Sequence, residues 1–590
     1  MEFYKKQKEI YISELKKLNR RYNFISLSRL IIAIATIVLL YFILNSKHTT
    51  VIVCLLLFCI VEFILLMNRH VLVRNKRLRA EAIVKINEDE IDYLLHNKIP
   101  FEEGNEFTDH THPYSYDLDI FGNKSLFHNI NRTQTFKGKQ KLAALLKKLL
   151  PEEEILLNQH AVKELSGKPE FRQEIMALGK AYRDSEEIHE RLLNWINIPL
   201  GKIAPLSVII ALTTPALFII SLAIYFITNN SLFSTLSGWI FGFNLVFILS
   251  YLKMIKQETQ HTTDIHNIIH NYGLIIDQIE NEKFEYEKLK SLQDKLVYEG
   301  KTAGSQIKKL ASLFSKLDSI NNAFGAALLN GLMLYHFHAL KSLLKWKKEH
   351  SAAIILWLDI IAEIEALNSF ANLHYNNPDF TFPLLNDENK IEFKNLAHPL
   401  LNKEGRIGNN INFDPDFMIL TGSNMSGKST FLRSLGINMI LAGAGAPVCA
   451  EEANINPLPV LVSMRLSDSL SDSESYFFAE VKRLRFIMDE LKKNKAFVLL
   501  DEILRGTNSE DKRTGTIKVI KRMIVLNAVG AIATHDIEVC NLTDEYPQKL
   551  INRCFEAQIE NNELYFDYCL RDGICKNKSA TFLMEKMGVI

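Results

Sequence analysis

The stretch FMILTGSNMSGKST (417–430) decides how the C-terminal part of the chain folds. Its first four residues are apolar and predict a buried strand, and an apolar helical pattern follows its last residue. Between them, Gly422 to Ser429 fits G-x-x-x-x-G-K-[ST], whose glycines let the backbone curl so that N–H groups surround phosphate oxygens. Strand, loop and helix in this order predict an α/β nucleotide-binding domain of the P-loop type.

Every residue of this loop is a candidate ligand of the nucleotide, which we predict to be ATP with Mg²⁺. Lys428 would bring a positive charge to the β- and γ-phosphates, and the Ser429 hydroxyl would reach the Mg²⁺ ion. The predicted nucleotide-binding residues of the loop are Gly422, Ser423, Asn424, Met425, Ser426, Gly427, Lys428, Ser429 and Thr430.

A second apolar strand, AFVLLDE (496–502), ends in two carboxylates. Asp501 is predicted to hold Mg²⁺ together with Ser429, because oxygen ligands suit this ion. Glu502 is predicted to orient or deprotonate the attacking water. Alone, a strand that ends in two acidic residues means little, but here it follows a phosphate loop.

A third strand, VGAIATH (529–535), ends in His535, which is placed to sense the γ-phosphate. The three strand ends in this order are typical of an ABC-type ATPase. The predicted catalytic residues are Glu502, His535 and Lys428.

The motifs also resemble those of the MutS mismatch-recognition family. TGSNMSGKST differs from that family's T-G-P-N-M-G-G-K-S-T in two serines, and SYFFAE (475–480) resembles its S-T-F-x-x-E. DEILRGTNSED (501–511) is similar to D-E-x-G-R-G-T-S-x-x-D, with Leu504 in place of a glycine. Further upstream, residues 116–146 resemble the start of the MutS core.

The resemblance implies a head-to-tail homodimer in which each nucleotide lies between two subunits. Ser475 would then contact the γ-phosphate held by the other subunit, and Asn508 and Asp511 would line the dimer contact beside the nucleotide. The aromatic residue on which the family stacks adenine is replaced around Arg406-Ile407. The sequence therefore leaves open how the base is held.

Long apolar runs predict a protein tied to a membrane. Roughly 17–25 apolar residues suffice to cross a bilayer as a helix, and the runs come in pairs joined by short connections. Basic residues flank the outer ends of both pairs, which places these ends and the large domains in the cytoplasm. We therefore predict a multi-pass protein of the cytoplasmic membrane; a signal peptide and buried core helices are the alternatives. The four predicted transmembrane runs are about 30–45, 50–67, 204–227 and 232–252.

Composition argues against binding of nucleic acid through overall charge, against a zinc site and against a disulfide framework. The formal net charge of +1 predicts no global attraction to nucleic acid, so binding of DNA would need local patches. The seven cysteines form no C-x-x-C pair, which argues against a zinc site and a disulfide framework.

The predicted organisation is an α/β ATPase domain carried on a mostly helical MutS-like core and lever. Apolar residues three and four apart between 265 and 296 predict one long helix in the lever. The predicted domains are 1–70 (basic helix and first transmembrane hairpin), 71–200 (core), 201–253 (second hairpin), 254–384 (helical lever) and 385–590 (ATPase).

The predicted function is that of a MutS-like ATPase anchored in a membrane, in which the nucleotide cycle moves the lever. Mismatch readers of the family carry an N-terminal α/β domain with a Phe-x-Glu wedge, and residues 71–115 are too few for it. Phe101-Glu102-Glu103 has the residue types of the wedge, but the predicted domain around it is lacking. The second hairpin lies roughly where the family has its DNA clamp. The alternatives are a mismatch-repair or recombination protein that binds DNA and an ABC transporter, which would need more spanning helices.

Overall fold

The computed structural model describes the chain except residues 44–48, 97, 182–183, 260–261, 299, 389, 424, 466–475, 561–562, 577–586 and 588–590. The predicted ligands Asn424 and Ser475 therefore lie outside the described residues. In the described parts, helices dominate up to residue 376 and a sheet with helices follows. The prediction of an α/β region after a mostly helical one is confirmed.

Two long helices form the N-terminal part, α1 (Glu2–Ile43) and α2 (Thr49–His96). They pack along each other: the ring of Tyr22 lies 4.4 Å from that of His70, and Arg77 lies over Tyr22 at 4.6 Å. Each helix runs without a break from its apolar part into its polar part. The hairpin therefore continues as one rigid unit past the predicted boundary at 70, up to His96.

The far end of this hairpin is fastened to the rest of the protein by buried polar contacts. Tyr4 is 2% exposed and its hydroxyl donates to Asn376 Oδ1 at 2.8 Å. Glu90 accepts two hydrogen bonds from the buried guanidinium of Arg132, which also lies 3.4 Å from the ring centroid of Phe101. Phe101, which is half-buried, thus packs on this guanidinium.

The region predicted as core and lever follows, and it is helical. Leu126, Leu142, Leu146 and Ile175 from the first helices are buried against the last one. The helices are α3 (Leu126–Ile130), α4 (Phe136–Lys147), α5 (Glu152–Ser166), α6 (Pro169–Ala181), α7 (Glu186–Asn197), α8 (Pro205–Thr228), α9 (Ser231–Thr259), α10 (Thr262–Asn281), α11 (Glu287–Asp294), α12 (Ala303–Asp318), α13 (Ala323–Met333) and α14 (Tyr335–Asn376), and a small hairpin of β1 (Val297–Tyr298) and β2 (Lys301–Thr302) precedes α12.

The single long helix predicted between 265 and 296 is wrong. The structure has α10 and α11 there, with the chain turning between them at residues 282–286. The predicted apolar residues Ile268, Ile275 and Leu289 are nevertheless buried. Two helices that pack on the same core continue one apolar periodicity, so the pattern could not reveal the turn.

Three helices are long and apolar enough to cross a membrane, counted among the described residues. They are the N-terminal helix over Glu2–Leu39, α8 and α9. The fourth predicted run, 50–67, lies at the start of α2, where the side chains of 51–54 and 57 are outside the described ones. The apolar side chains of α8 and α9 are largely exposed, for example Ile227 at 81% and Trp239 at 76%.

The C-terminal region is a six-stranded sheet between helical layers. All its neighbouring strands are parallel except the edge strand, which is antiparallel. The sheet has the order β12-β11-β6-β10-β9-β8, built from β6 (Phe417–Gly422), β8 (Val460–Ser463), β9 (Phe497–Asp501), β10 (Val529–Ala533), β11 (Leu550–Glu560) and β12 (Glu563–Asp572), and a smaller sheet contains β3 (Leu384–Leu385), β4 (Ile391–Leu396), β5 (Asn409–Asn412) and β7 (Glu452–Ile455).

Helices cover both faces of the large sheet because side chains alternate along each strand. Met418 and Leu420 of β6 join the main core with α15 (Lys428–Gly443), whereas Phe417 and Ile419 pack in a second core. The second core also contains residues of α16 (Tyr476–Leu491), α17 (Ser509–Val525) and α18 (Leu542–Glu545). The carboxyl ends of β6, β9 and β10 meet at one edge, which is where parallel sheets place their ligands.

Candidate active site

Two glycines shape the loop between β6 and α15. Gly422 ends the strand with φ 154° and Gly427 caps the helix with φ 95°, a region that favours glycine. A Cβ at Gly422 would lie 2.8 Å from the carbonyl oxygen of Phe555, and one at Gly427 would lie 2.9 Å from the Tyr568 ring. Both positions therefore require glycine for two reasons, backbone conformation and space.

The rest of the loop closes on itself. Ser426 donates from its hydroxyl to the carbonyl of Ser423 at 2.8 Å and from its amide at 3.2 Å. The Ser423 hydroxyl is buried without a hydrogen-bond partner, and Met425 is 67% exposed. Ser429 and Thr430 lie at the exposed start of α15, where helix N–H groups attract anions.

Lys428 lies under the loop. It is 3% exposed, and its ammonium donates to the carbonyl oxygens of Gly422 and Ser423, each at 2.8 Å. Burial lowers the pKa of Lys428, whereas the carboxylates of Glu502 and Asp501 raise it. The positive charge of Lys428 is thus held at the centre of the strand ends, as predicted for a phosphate-binding lysine.

The predicted pair of metal ligands is brought together. The Ser429 hydroxyl donates to Asp501 Oδ2 at 2.6 Å, and Asp501 is only 6% exposed. Its other carboxylate oxygen, Oδ1, is buried and has no hydrogen-bond partner among the described residues, which is costly unless a cation or donor joins it. A hydroxyl and one carboxylate with a free oxygen are the ligands expected for Mg²⁺ that a nucleotide also coordinates, so these residues fit the ion.

Among the described residues, Ser429 and Asp501 are the two predicted metal ligands that the structure brings into contact. Within the part of the chain that the structure describes, no group of three His, Cys, Asp or Glu side chains is arranged to hold a metal ion. A hydroxyl and a carboxylate suit an ion whose other ligands are phosphate oxygens and water.

Glu502 and His535 form the second predicted pair. The His535 Nε2 and Glu502 Oε1 atoms are in direct hydrogen-bond contact, and Arg505 Nε lies 3.5 Å from Glu502 Oε2. The hydrogen bond with His535 lowers the pKa of Glu502 to about 2 against the effect of burial. Lys428 Nζ lies 3.5 Å from the same imidazole nitrogen. The three predicted catalytic side chains therefore form one cluster.

The turn that carries Glu502 is held in an unusual conformation. Glu502 has φ 48° and Leu504 has φ 62°, although neither is glycine. Two contacts support it: Glu480 accepts hydrogen bonds from the amides of Leu504 (2.6 Å) and Arg505 (3.2 Å), and the Glu502 amide donates to Ala533 O at 3.0 Å. Sequence reasoning placed Glu480 in the SYFFAE motif without a role; the structure shows that it positions this turn.

Asn508 lies away from this cluster in the single chain. It is exposed at the start of α17, where it accepts a hydrogen bond from the Asp511 amide at 2.8 Å and donates to the Asp511 carboxylate at 2.8 Å. Its side chain is therefore a helix cap within one subunit. Its contact with nucleotide and its place at a dimer interface stay predictions.

A cleft of about 480 Å³ opens beside the loop, a size that suits a small ligand. It is lined by His398, Ile407, Phe431 and Phe555, together with the loop residues that begin α15. Burial and the nearby Arg433 and Arg406 side chains lower the pKa of His398 to about 4, so its imidazole is neutral at pH 7.

Tyr568 supplies an exposed aromatic ring to the same cleft, and sequence reasoning missed it. The pairing of β11 with β12 shifts register between Phe555 and Ala557, and Tyr568 lies at this bulge with φ 55°. Bulges redirect side chains, here toward Gly427. No periodic pattern in the sequence signals such a bulge, so the residue could not be found from spacing.

Comparison with known proteins agrees with this geometry. Residues 418–588 match the family described as MutS domain V. The chain is similar to the DNA mismatch repair protein MutS of Thermotoga maritima, with 30% identity over 257 residues that cover 42% of this chain and 32% of that protein. It is also similar to the human MutS protein homolog 4, with 29% identity over 247 residues that cover 39% of this chain and 25% of that protein.

A third relative is the DNA mismatch repair protein MutS of Ehrlichia ruminantium, with 33% identity over 217 residues, 36% of this chain and 26% of that protein. The chain thus spans about a third or less of the length of these curated relatives. The matched family region contains the glycine loop, Asp501, Glu502 and His535. These matches relate the C-terminal part of the chain to the MutS family, and the region that matches MutS domain V carries the site described above.

Proposed function

We propose that this protein is a membrane-anchored ATPase of the MutS type, in which ATP binding and hydrolysis in a homodimer move the lever and the hairpins attached to it. The observation that carries the proposal is the single cluster of Lys428, the Ser429–Asp501 pair and the Glu502–His535 pair at the ends of three neighbouring parallel strands. Each pair serves a different step.

Phosphate binding is the task of the loop and Lys428. Bound ATP with Mg²⁺ supplies the reactive γ-phosphoryl group and neutralises part of its charge. Ser429 and the free oxygen of Asp501 would hold the ion, and Lys428 would leave its carbonyl partners to pair with phosphate oxygens. Tyr568 and the neutral His398 would border the base in the neighbouring cleft.

Hydrolysis needs a water aligned with the γ-phosphate. The contact with His535 lowers the pKa of Glu502 and keeps its carboxylate charged at neutral pH, so Glu502 can accept a hydrogen bond from this water and orient it. His535 fixes the direction of the Glu502 side chain through their contact and lies beside Lys428, near the phosphate end of the site.

A second subunit would complete each site. The start of α16 exposes Phe477 (38%) and Phe478 (50%), which follow Tyr476 in the SYFFAE segment. Exposed aromatic side chains beside a nucleotide site suit a protein interface. The homodimer, with Ser475 and Asn508 facing the nucleotide of the other subunit, is part of the proposal.

The site is joined to the helical part by contacts of α15. Arg433 on α15 donates to the carboxylate of Asp119 at 2.9 Å, and Asp119 also pairs with Arg465 near the SYFFAE segment. The chain around Asp119 leads to α4, where Lys141 pairs with Glu363 of α14. A movement of α15 on nucleotide binding would thus reach the lever helix α14.

The lever in turn is fixed to the second hairpin. Glu258 near the end of α9 accepts hydrogen bonds from Lys347 of α14 at 3.3 Å and from the indole of Trp195 at 3.0 Å. Closer to the hairpin, Phe337 of α14 packs on the ring of Tyr251 of α9 at 4.9 Å. Helix α14 has 42 residues and is therefore about 60 Å long, enough to connect the hairpin with the ATPase domain.

The apolar helices support a location in the cytoplasmic membrane, with the ATPase domain and lever in the cytoplasm. Its test is the fractionation of cells that express the full chain: the protein should remain in the membrane pellet after an alkaline carbonate wash. Release into the soluble fraction would contradict anchoring.

The names of the relatives favour a second candidate, a mismatch-repair or recombination protein that binds DNA. The two candidates differ in what stimulates hydrolysis. We expect full-length protein in lipid nanodiscs to hydrolyse ATP without selective stimulation by mismatched duplex, and a Lys428→Ala variant to be inactive. Strong, mismatch-selective stimulation, with duplex affinity that falls steeply with added salt, would favour the second candidate instead.

A further inference from the structure

Helix α13 stands out because it is apolar and exposed, although it lies between the lever helices α12 and α14. Its 11 residues, AFGAALLNGLM, include no charged side chain. Phe324 is 83% exposed, Leu328 46% and Met333 49%. Such a face is unusual for a helix in water, and it was not among the predicted transmembrane runs.

The polar groups of α13 are satisfied inside the protein. Asn330 is 2% exposed, its amide donates to Ala326 O at 2.9 Å, and its carbonyl accepts from the His336 amide at 3.0 Å. Asn322 caps the first turn by accepting from the Gly325 amide at 3.2 Å. The exposed face therefore presents only apolar side chains, which is the condition for contact with hydrocarbon.

The end of α13 packs on the middle of the second hairpin. A Cβ at Gly331 would lie 2.2 Å from the Phe241 ring, so the two helices touch there, and Gly331 O accepts a hydrogen bond from the fully buried Asn244 at 2.9 Å. Phe241 and Asn244 lie near the centre of the apolar run 232–252. They are about two to three helical turns away from Tyr251, where α14 contacts α9.

We propose that α13 is inserted in the lipid bilayer beside α8 and α9. In this arrangement α13 reaches about half the depth of the bilayer, and the exposed face of the helix contacts acyl chains. This inference rests on the proposed membrane anchoring. A helix of 11 residues is about 16 Å long, roughly half of the 30 Å hydrocarbon thickness. Lipid is the occupant because Phe243 (49% exposed) and Val246 (68%) on α9 adjoin the contact, and the same medium must cover both helices.

The insertion would attach the lever to the bilayer at the bend between α13 and α14. Leu334, which joins α13 to α14, has φ 45° and is fully buried, so the two helices meet at a fixed bend. A rotation of α14 would therefore move α13 through lipid as well as the hairpin. The lipid contact of the protein thus includes a segment of the lever itself.

Quenching of tryptophan fluorescence by lipids with brominated acyl chains tests this in the full-length protein reconstituted in bilayers. Trp239 on α9 is 76% exposed, whereas Trp195, Trp346 and Trp357 are buried, so Trp239 reports on the hairpin. In a Trp239→Phe background, Phe324→Trp is the test variant. The control in water is Val525→Trp, at a residue that is 68% exposed on the ATPase domain.

We expect brominated lipid to quench the same fraction of the fluorescence added by Phe324→Trp as of the fluorescence of Trp239. Aqueous iodide should quench the fluorescence added by Phe324→Trp only weakly. The Val525→Trp emission should behave in the opposite way. Leu328→Trp repeats the test at a second exposed position, so that a folding defect of one variant does not decide the result.

Two outcomes would overturn the inference and are distinguishable. If Trp239 is quenched by brominated lipid while tryptophans at 324 and 328 are quenched by iodide alone, α13 lies in water and the hairpin anchor stands. If brominated lipid quenches none of these positions, including Trp239, the membrane anchoring of the proposed function fails as well.

Discussion

The buried ion pair between the lever and the second hairpin can be broken by one substitution, Lys347→Met. The Lys347 and Glu258 side chains are 2% and 3% exposed, and Nζ lies 3.3 Å from Oε2 and 4.7 Å from the ring centroid of Trp195. Burial lowers the pKa of Lys347, which shows that its charge is held at a cost and depends on Glu258.

The loss of Lys347 leaves a buried carboxylate that, among the described residues, still accepts a hydrogen bond from the Trp195 indole. Breaking one side of a buried pair costs about 3–5 kcal/mol, so we expect Lys347→Met to lower the free energy of unfolding by about that amount. The double variant Lys347→Met/Glu258→Gln keeps an acceptor for Trp195 and removes the unpaired charge. It should recover about half of the loss or more.

Chemical denaturation of the detergent-solubilised full chain, followed by tryptophan fluorescence, measures these differences. Lys345→Met is the matched control, because Lys345 is 76% exposed and pairs with Glu349 only at 3.9 Å. Its effect should stay within about 0.5 kcal/mol. If Lys347→Met and Lys345→Met destabilise the protein equally, the pair does not clamp the lever to the hairpin and our reasoning on coupling is refuted.

Further predictions concern the site itself. Asp501→Asn should raise the Mg²⁺ concentration needed for half-maximal hydrolysis about tenfold or more, since a charge-assisted contact is lost; an unchanged Mg²⁺ titration would speak against this ligand. Tyr568→Ala should weaken ATP binding about tenfold by loss of stacking, whereas the exposed Tyr565→Ala should not; equal affinities would exclude Tyr568 from the base site. His398 has a pKa of about 4 in the folded protein, below the unfolded value of 6.5, so the unfolded chain binds the proton first as the pH falls. The free energy of unfolding therefore decreases as the pH drops from 6.5 to about 4, by about 3 kcal/mol in total. Denaturation at several pH values should show a shallower fall for His398→Asn, and an unaltered slope would contradict a buried neutral imidazole.

Sequence reasoning found the side chains that follow strands directly. Asp501 and His535 lie at the ends of two short apolar runs and Lys428 in the loop region after a third, and parallel strands bring such ends to one edge of a sheet. Their meeting was therefore predictable from local patterns and strand order. The contacts themselves, such as the hydrogen bond from Ser429 to Asp501, follow from that register.

The features that were missed depend on irregular backbone or on tertiary contact. Tyr568 reaches the cleft through a bulge, and Leu504 adopts φ 62° because Glu480 holds its amide. The turn between α10 and α11 interrupts an apolar stripe that continues on both sides of it. Helix α13 is too short to be recognised as a spanning run, and its contacts with Phe241 and Asn244 of α9 become visible only in the structure.

Hydrolysis by the Glu502→Gln variant tests the central claim most directly. In the full-length protein reconstituted in lipid nanodiscs, we expect the wild type to hydrolyse ATP in the presence of Mg²⁺. Glu502→Gln should retain ATP binding while its turnover falls about 100-fold or more, because the amide keeps an acceptor oxygen but loses the negative charge that polarises the water. The matched variant Glu510→Gln, at an exposed carboxylate on α17, should hydrolyse ATP like the wild type. Normal turnover by Glu502→Gln, or an inactive wild type that binds ATP, would contradict the account.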